Sequence, residues 1–188
     1  AVLVGLNGLA REAAEAPEAR DFAKMSMTEL IEHIVSKHHV FTKSEIERIE
    51  RLFEKVIAAH GDRHAELHEI RSDFNALAAE LLPHMLKEEQ VLFPYMAQIE
   101  LFSSRDAQAP APMFGTVRNP IRMMTIEHET AGALLSNMRL RSADYAAPGD
   151  ACPTFVALYE ALEGLERDLH EHIHLENNLL FPRAVAAE

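Results

Sequence analysis

Apolar residues recur at steps of three and four along four long stretches of the chain, the spacing that lines one face of an α-helix. No stretch sustains the period-two alternation of a half-buried strand, so the pattern predicts an all-α chain. Ser26 and Glu29 have capping-box spacing and start a first helix that runs to about Ala59, before Gly61-Asp62. A second helix spans about Arg63 to Phe93-Pro94 and frays toward Glu100. Ser103 to Arg118, with Pro110, Pro112 and Gly115, reads as the one long loop. Asn119-Pro120 reads as the N-cap and first residue of a third helix ending near Arg141. After a connection over Ala146 to Pro153, a fourth helix runs from about Pro153 to Phe181-Pro182. Residues 1–24 read as a helical lead-in or linker and residues 25–188 as one domain. The expected architecture is an antiparallel up-down-up-down four-helix bundle.

The second and fourth helices share a pattern. His84-Met-Leu-Lys-Glu88 is followed by Leu92-Phe93-Pro94, and His172-Ile-His-Leu-Glu176 by Leu180-Phe181-Pro182. The common form is H-x-x-x-E-x-x-x-L-F-P, repeated 88 positions apart, and His39 and His128 lie 89 apart. The chain therefore reads as two αα-hairpins of one design.

Each predicted seam is apolar with the same kind of interruption. The first helix presents Val35, His39, Thr42, Ile46, Ile49, Phe53 and Val56, and the second Ile70, Phe74, Leu77, Leu81, His84, Glu88 and Val91. The third presents Ile121, Met124, His128, Ala131, Leu135 and Met138, and the fourth Leu162, Leu165, Leu169, His172, Glu176 and Leu179. Each of the four histidines lies nine to thirteen residues from a helix-end signal, or ~14–20 Å at ~1.5 Å per residue. In an antiparallel bundle those ends sit together, so His39, His84, His128, His172, Glu88 and Glu176 fall in one layer.

Two buried carboxylates without partners would cost several kcal/mol or more, and a bound cation removes that cost. Spacing i, i+4 places His84 with Glu88, and His172 with Glu176, on one helix face. Four imidazoles and two carboxylates exceed the four ligands of a structural zinc. They suit two metals, each with two histidines, bridged by both carboxylates, with positions left for an oxo or hydroxo bridge and an exogenous ligand. Nitrogen and oxygen donors without thiolate point to iron first and manganese second. The alternative is a purely structural polar layer.

The other histidines fit less well. His33 and His38 fall off the first seam. His60, His64 and His68 read as solvated residues near the start of the second helix, with an adventitious metal patch as the alternative. His170 and His174 share i, i+4 spacing but face away from His172 toward solvent. Met85, Met96, Met123 and Met138 read as core filler. Cys152, at a helix start where a thiol can be acidified, reads as a bystander. Pro83, inside the second helix beside His84, should remove a backbone bond and kink it.

Composition narrows the function classes. Eighteen Lys plus Arg against thirty Asp plus Glu give a formal charge of −12, a poor surface for phosphate backbones, which argues against nucleic acid as a partner. No run approaches the ~18 apolar residues of a transmembrane helix, so no membrane partner is expected. A lone cysteine forms no internal disulfide, which fits a reducing, cytoplasmic setting. Ala1 to Ala10 lacks a basic region and is not read as a secretory signal.

The residues resemble hemerythrin-like di-iron proteins, and among them the RIC (repair of iron centers) family of the YtfE/ScdA type. The matching stretches are His33-Ile-Val-Ser-Lys-His-His39, His84-Met-Leu-Lys-Glu-Glu89 with Leu92-Phe-Pro94, Glu127-His128-Glu-Thr-Ala-Gly132, and His172-Ile-His-Leu-Glu-Asn-Asn178 with Leu180-Phe-Pro-Arg183. The resemblance covers about residues 20–188. It implies ligation of two irons by His39, His84, His128 and His172, with Glu88 and Glu176 bridging, and it selects His39 over His38. It further implies repair of, or iron delivery to, iron–sulfur clusters damaged by nitrosative or oxidative stress, with damaged iron–sulfur proteins as partners. Nitric oxide binding or reduction, or O2/NO sensing, is the alternative, with a small diatomic (NO, O2) as ligand. Two positions depart from related patterns. Oxygen-carrying hemerythrins have a further histidine where Gly132 stands here, so the resemblance argues against a reversible oxygen carrier. Members of the family also commonly begin with a small domain bearing a vicinal cysteine pair, whereas Cys152 is the lone cysteine here.

Overall fold

In the computed structural model, residues 21–107 and 109–188 are described. Most of the expected lead-in, residues 1–20, lies outside them, and Asp21 to Lys24 form a turn closed by Lys24 N–H donating to the Asp21 carbonyl at 3.0 Å. The described residues carry no strand. The first rod is α1 (Met27–His33), a π-turn (Ile34–His39, π1) and α2 (Val40–His60). The second is α3 (Glu66–Lys87), π2 (Glu88–Leu92) and α4 (Phe93–Ser103). The third is α5 (Arg118–Arg141), unbroken. The fourth is α6 (Pro153–Leu175), π3 (Glu176–Leu180) and α7 (Phe181–Ala187). α2 packs on α6 and α3 on α5, giving the expected four-helix bundle. No described helix is long and apolar enough to cross a membrane.

Each rod start is explained by its own chemistry. Ser26 and Glu29 form the expected capping box on α1. Glu100 from α4 adds its carboxylate to the same helix start, accepting the Met27 and Thr28 N–H groups at 2.7 and 2.9 Å, where the helix dipole favours an anion. α5 begins at Arg118 rather than at Pro120. The Asn119 amide donates to the Phe114 carbonyl at 2.9 Å instead of capping. Val117 stands at the N-cap, and its own N–H donates to the Glu188 side chain at 2.7 Å. α3 starts at Glu66, three residues later than expected, because Arg63 and His64 N–H groups close a turn on the His60 carbonyl. The helix then continues through Pro83 to Lys87.

The core divides into two apolar clusters. One, built on Phe53, Phe74, Leu77, Phe155, Leu162 and Leu165, fills one end of the bundle. The other gathers Leu30, Ile34, Leu92, Met96, Leu180 and Phe181 at the opposite end. The histidine–glutamate layer belongs to neither cluster. The three π-turns lie at this layer and account for three of the four seam residues that do not reach the core. A π-turn carries one extra residue and rotates everything beyond it by ~100°. Val91 is therefore 49% exposed while Leu92 is buried, Leu180 replaces Leu179, and Ile34 replaces Val35. Ile121, on the regular α5, is half-buried.

Candidate metal centre

One layer of the bundle brings six buried side chains together: His39 from π1, His84 from α3, Glu88 from π2, His128 from α5, His172 from α6 and Glu176 from π3. They form two four-residue groups that share both glutamates, one with His39 and His172, the other with His84 and His128. Glu88 turns Oε2 toward His39 Nε2 at 3.4 Å and Oε1 toward His84 Nε2 at 3.2 Å. Glu176 turns Oε1 toward His172 Nε2 at 3.0 Å and Oε2 toward His128 Nε2 at 3.1 Å. The Nε2 atoms of each histidine pair are 3.3 and 3.1 Å apart. Donors bonded to one ion at ~2.1 Å sit at roughly that separation from each other. Each carboxylate therefore offers one oxygen to each pair.

Both Glu88 oxygens and Oε2 of Glu176 are buried without a hydrogen-bond partner. A carboxylate in that condition is costly unless a cation sits against it. The donor set fits two divalent ions: His39, His172, Glu88 and Glu176 around one, and His84, His128, Glu88 and Glu176 around the other. Electrostatics point the same way. Burial works against charge on His84, yet Glu88 and Glu127 outweigh it and hold the imidazole at about 9. Burial likewise opposes charge on His172, and Glu176 and Glu88 raise it regardless. Glu176 is held well below the usual carboxylate range, because His172 and His128 outweigh its desolvation. The layer attracts positive charge, whether as protons on imidazole or as metal ions.

A second layer of contacts orients the rings. His39 Nδ1 lies 2.7 Å from Glu89 Oε1, which also accepts from Lys43 at 2.7 Å. His84 Nδ1 lies 2.7 Å from Glu127 Oε2, whose other oxygen accepts from Lys87. These are twin lysine–carboxylate–histidine relays. They leave Nε2 as the atom available to a metal and raise its basicity. Glu89 and Glu127 are both lowered: burial opposes this, but Lys43 and His39, and Lys87 and His84, outweigh it. His128 Nδ1 pairs with Asn177 Oδ1 at 3.1 Å, while His172 Nδ1 has no partner. Phe93 stacks on His39 at 5.8 Å and Phe181 on His128 at 6.1 Å between ring centroids.

The sequence pattern named the six converging residues and missed the relays. Glu89, Glu127 and Asn177 each stand one position from a ligand candidate and off the predicted seam. Lys43 and Lys87, one turn beyond His39 and His84, were the available signal. Three histidines were misplaced. His33 and His38, expected off the seam, are both buried, and π1 turns His38 inward along with His39. His60 is also buried, against Phe155 at 5.3 Å, with His64 half-buried beside it. His68, His170 and His174 are exposed, as expected. Two further groups place metal-capable atoms close together: His33, His38 and Glu171, and His60, His64 and Asp150.

Comparison with known proteins adds two findings. Residues 30–184 match the hemerythrin HHE cation binding domain. The chain is 34% identical over 175 residues to the iron-sulfur cluster repair protein YtfE of Enterobacter sp. (strain 638), covering 93% of this chain and 74% of that one. The iron-sulfur cluster repair protein YtfE of Yersinia pseudotuberculosis (serotype O:1b, strain IP 31758) is 34% identical over 174 residues, 93% of this chain and 73% of its own length. That of Escherichia coli O81 (strain ED1a) is 34% identical over 175 residues, with 93% and 74% coverage.

Proposed function

The chain belongs to the hemerythrin HHE cation-binding family, and from that premise we propose that it holds two iron ions and serves in the repair of damaged iron–sulfur clusters. The observation that carries the reading is the pair of buried carboxylates whose oxygens face two histidine pairs, with both Glu88 oxygens and Oε2 of Glu176 lacking a hydrogen-bond partner. The names of the repair proteins it resembles support the role. In this reading His39 and His172 hold one ion, His84 and His128 the other, and Glu88 and Glu176 contact both. Bound there, iron supplies a redox-active pair with open positions for a small ligand, and it is also the material a damaged cluster lacks. The protein's own residues keep the layer ready. Glu89 and Glu127 hold the ring tautomers, Lys43 and Lys87 hold those carboxylates, and Phe93 and Phe181 keep water off the imidazole faces.

The test is reactivation. An iron–sulfur enzyme inactivated with nitric oxide is incubated with the iron-loaded protein under reducing, anaerobic conditions. Restored activity is expected with the wild type and not with Glu176→Ala. Equal recovery with free ferrous iron at the same concentration would remove the repair role.

A second reading, nitric oxide binding, rests on the surroundings. Leu81, Met124, Leu135 and Leu169 near the layer are buried and apolar, which favours an uncharged diatomic over a polar substrate. Gly132, one turn after His128, has no atom beyond its own stretch of helix within 4 Å of where a Cβ would stand. The iron-loaded, reduced protein should take up nitric oxide, read as a new visible absorption band, and Gly132→His should slow that uptake. A wild type that ignores nitric oxide rules this reading out.

A further inference from the structure

His38 is 0% exposed and the hydrogen-bonding scheme around it matches that of the ligand candidates. Its Nδ1 lies 2.9 Å from Asp168 Oδ1, as His39 and His84 pair with Glu89 and Glu127. Its Nε2 is buried with no hydrogen-bond partner, and so is Oδ2 of Asp168. A carboxylate on one imidazole nitrogen and a bare second nitrogen is the arrangement of a metal-binding histidine. An imidazole with only packing to do would be expected to bury fewer unsatisfied atoms. His33, 9% exposed, approaches edge-on with ring centroids 5.5 Å apart. His33, His38 and Glu171 each offer a ligand atom within 4.8 Å of the others.

We propose that His33, His38 and Glu171 form a third site for a divalent cation of borderline softness, separate from the dinuclear layer and placed between it and solvent. Two imidazoles and one carboxylate give three protein ligands and leave a position open, the pattern of an exchangeable site rather than a closed structural one. Its position gives it an outer and an inner side. Outward, Asp168 and Glu171 line an open surface groove of about 300 Å³ together with Lys37, Phe41, Gly164 and Arg167. Inward, the His38 ring stacks on His172 with centroids 5.6 Å apart and an interplanar angle of 13°. Lys37 holds Glu171 at 3.0 Å, and both side chains are more than 40% exposed, so Glu171 is free to exchange that partner for a cation at small cost. Charge already held in the layer repels an ion this close, so the third site binds more weakly than the centre and exchanges faster. The site is assigned on its own residues, and only its count as a third ion rests on the dinuclear reading.

The test uses the full chain loaded with iron, its iron content measured before and after anaerobic titration with Co2+. One further equivalent should bind with a visible d–d band while iron stays constant. Glu171→Gln and His33→Gln should each weaken that binding tenfold or more without lowering the iron content. No third equivalent, a band that survives both substitutions, or cobalt that enters only as iron leaves would each overturn the proposal. A chain that holds fewer than two irons but still binds cobalt through Glu171 and His33 would sink the dinuclear reading and keep this one.

Discussion

Glu166 and Glu88 are both buried carboxylates, one packed beside the apolar end of the bundle and the other in the ligand layer. Glu166 is fully answered by the protein: Arg139 Nε donates to Oε1 at 3.0 Å and the Tyr145 hydroxyl to Oε2 at 2.7 Å. Burial and Glu166 together push the Tyr145 pKa up, so it remains a donor. Glu88 accepts no hydrogen bond at either oxygen. The same contrast runs through the backbone. The helices around Phe53, Phe74 and Leu165 are regular, while three of the four rods carry a π-turn at a candidate ligand position. At the apolar end, sequence, helix period and hydrogen bonding agree. At the ligand layer they conflict, as a site built around something other than protein would require.

The contrast is broken most severely from the apolar end. Phe53 and Phe74 are fully buried with rings 5.5 Å apart. Phe53→Ala should cost about 3–5 kcal/mol, a large share of the ~5–15 kcal/mol that holds a domain folded. Calorimetry should show a large fall in Tm, and metal analysis below that Tm should still find the wild-type iron content. If iron is lost while Tm barely moves, the apolar cluster and the layer are not separable.

Metal removal strikes the histidine–glutamate layer. An ion that binds the native state alone stabilises by about 4 kcal/mol at a thousandfold excess over Kd. The chelated protein should therefore melt well below the loaded one, and the gap should depend on pH. His84 rises from 6.5 to about 9 in the fold. Without metal, its stabilising contribution is complete below pH 6.5 and is lost as pH climbs through about 9. Glu176 is lowered from 4.5, so its contribution is present above that pH and is lost in acid. Protons thus substitute for the cation near pH 6, and His84 gives its proton up as pH climbs through about 9. Thermal melts should show the loaded–chelated gap widening over that range, and a flat gap would mean that the layer is solvated.

A sharper comparison reverses a sign. In the chelated protein at pH 9, Glu88→Met removes an unanswered carboxylate and should raise stability by about 1–3 kcal/mol. Glu166→Met strands Arg139 and Tyr145 and should lower it by about 1–3 kcal/mol. Urea titrations that move both variants in one direction would show that the two carboxylates are alike after all.

How far each end could be read from sequence follows the same division. Ile46, Ile49, Phe53, Val56, Phe74, Leu77, Leu135 and Leu165 were all placed in the core by helical period, and all are buried. Val35, Ile121, Val91 and Leu179 were placed by the same rule and are not. Three of the four lie at or next to a π-turn, whose extra residue no 3.6-residue count can register. His38 was misjudged for the same reason. Glu88 and Glu176 converge because each opens its turn, before the extra residue, and His39 because it closes its turn, in register with Ile46 and Ile49 beyond it. Glu89, Glu127 and Asn177 escaped because an orienting partner approaches from the side of a seam, where no periodicity marks it.

The finest test lies within the ligand layer. Both relays end on an imidazole Nδ1, but the half containing His39 also contains His172, whose Nδ1 has no partner. The half containing His84 also contains His128, which Asn177 orients at 3.1 Å. Replacing an orienting carboxylate typically weakens a metal site 10- to 100-fold, or about 1.4–2.7 kcal/mol. Glu89→Gln removes the one orienting carboxylate in its half, since His172 has none to fall back on. Glu127→Gln leaves Asn177 in place on the partner ring. Chelator extraction should therefore become biphasic in both variants, with the fast phase faster in Glu89→Gln. Equal fast phases would mean that the bare Nδ1 of His172 carries no cost, and monophasic loss would mean that the bridging carboxylates tie the two ions into one unit.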